Sequence, residues 1–450
     1  MSSQFIPLDQ EQRIRITSSL DETLFVEAGA GTGKTEALVG RIVALITEGR
    51  ATIVDIAAIT FTELAAAELR ERVRARLSSI VDNRDIPETH RERSRRAIRG
   101  FDSASIQTLH SFAGQLLRER PLDVGLPPSF EVIESIESDI NFQDRWQLWL
   151  DEALDSEDLA PTLAKAMSLG LRMDQLRDVA VSFYKNLDLL PVEFPRFSPP
   201  ESNVILEIVD SRQAIQELLP LAHNDDDILL SHAKRVVSFA DSLERIGTEN
   251  NMALAVLSRH GRLTQNRGRV QDWDPHPQSG ANGCTALKSL LSELESEKNS
   301  ELDQWRSSLL CTLLENVREL ATRYFQERIS NGKIEFQDLL VLARNLVRDH
   351  TDAREYFRSR FTHILIDEFQ DTDPIQSEIA VLLSTTGADS KNQPSDLIPG
   401  KLFVVGDPKQ SIYMFRGADI SVSEDLKNLF RMGNWRFHRI SDPKIGLSRG

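Results

Sequence analysis

Three short stretches carry residues that could do chemistry. The first, Ala28-Gly29-Ala30-Gly31-Thr32-Gly33-Lys34-Thr35, follows the apolar Leu24, Phe25 and Val26 and precedes a helical pattern of Leu38, Ile42, Leu45 and Ile46. A glycine loop between strand and helix aims successive backbone N–H groups and a helix N-terminus at one point, which suits a polyphosphate. In such a loop Lys34 reaches the β- and γ-phosphates of ATP and Thr35 holds Mg²⁺. Ala28 stands where the strict pattern has glycine, so the match is to a variant of the phosphate loop; a glycine-rich turn without a ligand is the alternative. The second stretch, His363-Ile364-Leu365-Ile366, ends in Asp367 and Glu368. Nucleotide hydrolysis needs two acids there, Asp367 for hydrated Mg²⁺ and Glu368 to orient and deprotonate the attacking water; a surface turn is the alternative for such a pair taken alone. In the third, Leu402-Phe403-Val404-Val405 leads into Gly406-Asp407-Pro408-Lys409-Gln410. The neutral amide of Gln410 can bond a γ-phosphate oxygen in one nucleotide state and lose that bond in the other, as a sensor would; a polar turn is the alternative.

The elements that must position these groups alternate. A strand-like run at 57–62 enters the alanine-rich helical stretch Glu63-Leu64-Ala65-Ala66-Ala67-Glu68-Leu69, and a run at 103–108 ends in Leu109-His110-Ser111-Phe112. Strands alternating with helices predict an α/β fold whose parallel sheet binds its ligand at the strands' C-terminal ends. Residues 112–336 instead show long amphipathic segments and read as a helical insertion, with loops at 191–200 and 264–283. Phe142, Trp146 and Trp149, spaced i, i+4 and i+7, read as a buried helical stripe rather than a base-stacking box.

The chain has 450 residues and a net charge of -16, which argues against coating nucleic acid through bulk positive potential, so any such contact must be local. One candidate is the arginine-rich stretch 70–99, with a solvated helical face as the alternative. Cys284 and Cys311 have no metal-ligand spacing and read as buried thiols. No apolar run is long enough to span a membrane and the N-terminus lacks the parts of a signal peptide, so a cytoplasmic protein is expected.

Taken in order, these motifs resemble the UvrD/Rep-type superfamily 1 DNA helicases, and within them the RecB/AddA-like branch. AGAGTGKT resembles motif I, ITFTELAAAEL at 59–69 motif Ia, TLHSF at 108–112 the motif after it, ILIDEFQDTDPIQ at 364–376 motif II, and VVGDPKQSIYMFRGAD at 404–419 motif III. Leu8-Asp9-Gln10-Glu11-Gln12 resembles the Q motif, and IEFQDLL at 334–340 the segment before motif II. Asp-Pro-Lys-Gln at 407–410 and Thr-Glu at 62–63 are similar to the RecB/AddA form. The resemblance implies a RecA-like domain 1A at 1–115 and 331–430, a helical domain 1B at 116–330, and a tail at 431–450. It implies that Gln12 reads the adenine edge. Single-stranded DNA would then cross domain 1A, with Phe61 and Phe415 stacking on bases, or packing as core residues, and with Thr60, Thr108 and His110 on the backbone. Arg416 would link that strand to the nucleotide. The family's activity is ATP-dependent translocation of 3'-to-5' polarity in DNA repair and recombination. The implied partners are single strands, single-strand/duplex junctions and a second helicase or nuclease subunit.

Past residue 420 the resemblance stops, and motifs IV to VI are not found. Asn434-Trp435-Arg436 is only faintly similar to motif IV. The expectation is the N-terminal half of a motor, inactive alone, whose strand-like 435–440 lacks a sheet because the reading frame is interrupted near Ser441. A non-motor module binding nucleotide or single-stranded DNA is the alternative, and a P-loop kinase or small-molecule ATPase would leave TLHSF, Phe61 and Gln410 unused.

Overall fold

The computed structural model describes residues 10–29, 32–191, 193–248, 250–369, 374–386, 397–407 and, as backbone, 436–440. Eight strands occur among them: β1 Leu24–Ala28, β2 Ile56–Thr60, β3 Ser105–Thr108, β4 Glu131–Val132, β5 Lys333–Ile334, β6 His363–Ile366, β7 Leu402–Gly406 and β8 Arg436–Ile440. Six form one sheet in the order β3-β2-β6-β7-β1-β8, and every neighbouring pair is parallel. Four of its strands, β1, β2, β6 and β7, are near-continuous apolar runs, as expected where helices cover both faces, whereas β3 and β8 at the two ends of the order carry polar residues. The helix Lys34–Thr47 buries Leu38, Val39, Ile42, Leu45 and Ile46 in the same core as Leu24, Val26, Phe403 and Val405.

The chain divides into two units, Met1–Ser135 with Arg328–Gly450, and Ile136–Glu327. Residues 116–135, assigned from sequence to the insertion, lie in the first. The reason is local: helix Leu109–Glu119 is one amphipathic element, and it buries Phe112, Leu116 and Leu117 together. Phe112 meets Phe361 edge-on at 5.2 Å, just before β6.

The second unit is helical. Phe142, Trp146 and Trp149 are buried in a core completed by Tyr184 and Tyr324. Cys284 is buried in a neighbouring core, whereas Cys311 is only half-buried. Among the described residues no helix is long and apolar enough to cross a membrane.

One sequence expectation is corrected. The strand at 436–440 has a sheet: β8 runs beside β1, from Leu24 opposite Arg436 to Ala28 opposite Ile440. Without β8, one side of β1 would present unpaired N–H and C=O groups, and pairing satisfies them. In the arginine-rich stretch several side chains are engaged within the chain, which supports the solvated helical face. Arg72 pairs with Glu68, Arg76 with Glu36, Arg95 with Glu88 and Glu92, and Arg99 with Glu92, while Arg93 donates to the Thr47 carbonyl.

Candidate nucleotide site and strand-end surface

β7 lies between β1 and β6, so the loop after β1 and the acids after β6 start two strand spacings apart, roughly 10 Å. Side chains close that gap: Lys34 Nζ donates to Glu368 Oε2 at 2.5 Å. Lys34 is the first residue of its helix, and Gly33 before it has φ 93°, a left-handed conformation open to glycine at little cost. Thr32 is buried, and its hydroxyl donates to the Gly29 carbonyl at 2.7 Å. Thr35 is half-buried in the first helical turn. Ala28 is buried at the end of β1. Ala30 and Gly31 lie outside the described residues.

Asp367 continues the β6 register, its N–H donating to the Ile59 carbonyl at 2.9 Å. Glu368 has φ 49° and is the one non-glycine residue with positive φ among those described. A left-handed residue with a Cβ costs roughly 1–2 kcal/mol, a strain met most often at functional sites. Phe369 next to it is buried and meets Phe25 of β1 edge-on at 6.2 Å, which fixes the turn. Burial pushes the Asp367 carboxyl up to about 6, with the Glu368 carboxylate adding to the effect and the Glu368 N–H and Lys34 opposing it. Two adjacent carboxylates, one buried, form a donor set whose ionised form a cation would favour. The Thr35 hydroxyl, next to Lys34 in the loop helix, adds a third oxygen of the type that Mg²⁺ takes, and among the described residues no group of three or more His, Cys, Asp or Glu side chains could hold a metal.

Sequence reasoning gave no role to three residues that hold this site. Arg13 donates from Nη2 to the Thr32 carbonyl at 3.0 Å, tying the helix Gln10–Ser18 to the loop. On that helix the Gln12 side-chain oxygen is buried and finds no hydrogen-bond partner among the described residues. Asp407, buried at the end of β7, brings Oδ2 to 3.8 Å from the position a Cβ on Gly29 would take. Arg41 is fully buried. A signal for Arg41 exists, since it falls on the stripe of Leu38, Ile42 and Leu45, where a charge is out of place.

The ends of β2 and β3 form the neighbouring edge, where Thr60 stands opposite Thr108. Both hydroxyls are used inside the chain: Thr60 donates to the Thr62 carbonyl at 3.1 Å, and Thr108 to Glu63 at 2.8 Å while capping its helix through the Ser111 N–H. The Ser111 hydroxyl also donates to Glu63, at 2.9 Å, and the two hydrogen bonds from Thr108 and Ser111 hold the Glu63 carboxyl below its usual range. Phe61 is half-buried. His110 stacks on the exposed Phe336 at 3.9 Å, and burial pushes its imidazole down to about 4, so it is neutral at physiological pH. Both line a groove of about 470 Å³ with Gln107, Ser111 and Arg118. Gln410, Phe415 and Arg416 lie outside the described residues.

A family model described as UvrD/REP helicase N-terminal domain matches residues 8–431. An ATP-dependent helicase/nuclease subunit from Pediococcus pentosaceus is 25% identical over 468 residues, covering 96% of this chain and 37% of the relative. Its counterpart from Moorella thermoacetica is 29% identical, covering 88% and 30%, and that from Listeria welshimeri is 25% identical, covering 88% and 34%. The chain thus spans about a third of the length of these relatives.

Proposed function

The chain belongs to the UvrD/REP helicase N-terminal domain family, and from that premise we propose that it binds ATP with Mg²⁺ at the loop 28–35 and serves as the ATP-binding part of a DNA helicase in repair and recombination. The name its relatives carry, that of a helicase/nuclease subunit, suggests a nuclease-linked complex with a partner chain. The family resemblance supplies the 3'-to-5' polarity.

The observation that carries this reading is the convergence of Lys34, Asp367 and the strained Glu368 at one sheet edge. Gln12 would read the base; Gly29, Thr32 and Gly33, with Ala28, Ala30 and Gly31, would shape the phosphate cradle, and Lys34 would bind the phosphates. Thr35 and Asp367 would hold Mg²⁺, which when bound neutralises charge on the phosphate oxygens. Glu368 would take the proton of the attacking water, and Gln410 would sense the γ-phosphate. Single-stranded DNA would follow the ends of β2 and β3, past Thr60, Phe61, Thr108 and His110, towards Phe415 and Arg416. With the two threonine hydroxyls already committed as donors, base stacking on Phe61 and backbone N–H contacts would carry most of that binding.

The test is titration of the 450-residue chain with a fluorescent ATP analogue and with labelled oligonucleotides. Mg²⁺-dependent nucleotide binding lost in Lys34→Ala is expected. Salt-sensitive binding to single strands, weakened more by Phe61→Ala than by Phe142→Ala, is expected as well. Nucleotide binding unaffected by Lys34→Ala would overturn the assignment of the loop, and preference for duplex would overturn the assignment of the edge.

A further inference from the structure

Arg41 sits in the middle of the helix Lys34–Thr47 with no solvent exposure. Its Nη1 donates to the carbonyls of Ile16 at 2.9 Å and Ser19 at 2.7 Å, and its Nη2 to those of Leu20 at 3.1 Å and Glu22 at 3.0 Å. The guanidinium lies 5.3 Å from the centroid of the Phe403 ring. These carbonyls end the helix Gln10–Ser18 and the turn after it, where backbone acceptors lack intrahelical donors and a cation is favoured. The planar fork of arginine reaches four acceptors at once, whereas a lysine ammonium has three donors on one atom.

The same short helix is held at its other end by the bond from Arg13 to the Thr32 carbonyl of the phosphate loop. Next to Arg13, one residue towards the N-terminus, it carries Gln12, whose buried side-chain oxygen finds no hydrogen-bond partner among the described residues. An amide oxygen so placed is satisfied by the exocyclic amine of adenine, and guanine offers an acceptor at the equivalent position. Its value in choosing a base depends on its distance from the phosphates being fixed, because a helix free to shift would let either base in.

We propose that Arg41 is the positioning residue for base selection: it locks the helix bearing Gln12 onto the helix that follows the phosphate loop, so that adenine is preferred to guanine. The inference rests on Gln12 reading the base and adds the element that makes the reading selective.

Affinities of the 450-residue chain for Mg-ATP, Mg-GTP and tripolyphosphate, measured by calorimetry for the wild type, Arg41→Met, Arg41→Lys and Gln12→Ala, test it. In Arg41→Met the preference for ATP over GTP should fall about tenfold, to near unity, while tripolyphosphate binding stays within about twofold. Arg41→Lys should keep part of the preference. A folded Arg41→Met with the wild-type ratio, or with all three ligands weakened alike, would overturn the proposal. Should Arg41→Met not fold, Arg41→Lys decides by the same criterion, an unchanged ratio or a uniform loss counting against it. A preference left intact by Gln12→Ala would instead overturn the base-reading role on which the proposal stands.

Discussion

Lys34 Nζ and Glu368 Oε2 are 2.5 Å apart although the strands that precede them are separated by β7. One hydrogen bond thus joins the phosphate loop to the proposed catalytic base. On the proposed function a triphosphate on the loop would compete with Glu368 for Lys34, so that nucleotide binding would also free the base.

From this pair follows the behaviour of Glu368→Gln. The amide keeps the shape but offers Lys34 a weaker partner and puts no negative charge near the γ-phosphate, so Mg-ATP should bind equally or a few-fold more tightly. Hydrolysis should fall by about 10²–10⁴ where it is measurable, because the base is gone. Lys34→Ala should do the reverse to binding and weaken it by at least ~10². Equilibrium titration with a slowly hydrolysed analogue separates the two, and similar losses of affinity in both would refute the division of roles.

Gly33→Ala tests the loop's backbone. The added Cβ meets Arg13 Nη1 at 3.4 Å and Glu36 Cβ at 3.9 Å, which the space tolerates, but φ 93° does not suit an L side chain. A cost of about 1–2 kcal/mol is expected, either as lower stability in urea or as a relaxed loop with weaker nucleotide binding. An unchanged urea midpoint together with unchanged ATP affinity would contradict the left-handed geometry.

In the helical unit, Phe142→Ala removes a ring stacked at 4.3 Å on Tyr184 and edge-on at 5.3 Å to Tyr324. A loss of about 3–5 kcal/mol is expected from denaturation of that unit, with ATP affinity retained wherever the protein stays folded. Phe61→Ala, at a half-buried site, should cost far less stability. Comparing the two by chemical denaturation distinguishes a core aromatic from a surface one.

Stability should fall as acid is added. Burial pushes His110 and His363 from the ordinary 6.5 to about 4, and for His363 the nearby Arg41 and Lys401 add to the shift while Asp21 and Asp55 oppose it. Between these values the two imidazoles take up protons in the unfolded chain and refuse them in the folded one, while the single Asp367 carboxyl, raised from 3.8 to about 6, works in the opposite direction. The contribution of the imidazoles is therefore complete above pH 6.5 and is lost as the pH drops towards 4. Urea midpoints across this range should show the slope, and His363→Thr should reduce the coupled proton uptake by up to about one. An identical slope in the variant would remove His363 from the account.

Five sheet strands, and the places where the glycine loop and the two acids leave β1 and β6, were legible from sequence because each depends on local pattern. Leu24-Phe25-Val26 before glycines is a strand before a loop, and two acids ending an apolar run, alone as often a surface turn, gain meaning from the phosphate loop in the same chain. Phe142, Trp146 and Trp149 were legible as core for the same reason, since helical periodicity alone puts them on one stripe. The extent of the first unit was not, because helix Leu109–Glu119 joins its sheet through packing on Phe361, which is distant in sequence. Nor were the pairings that use up candidate groups: Thr108 with Glu63, His110 with Phe336, and the ion pairs of the arginine-rich stretch. Residue types say what a side chain can do, but a hydroxyl or guanidinium is available only if no nearer partner has taken it. The strand order decides in the same way that Lys34 meets Glu368 and that β1 gains β8. Parallel pairing is set by long crossovers and shared burial, which leave no mark within any one strand; local chemistry was therefore written in the sequence, and its assembly was fixed only when the chain closed on itself.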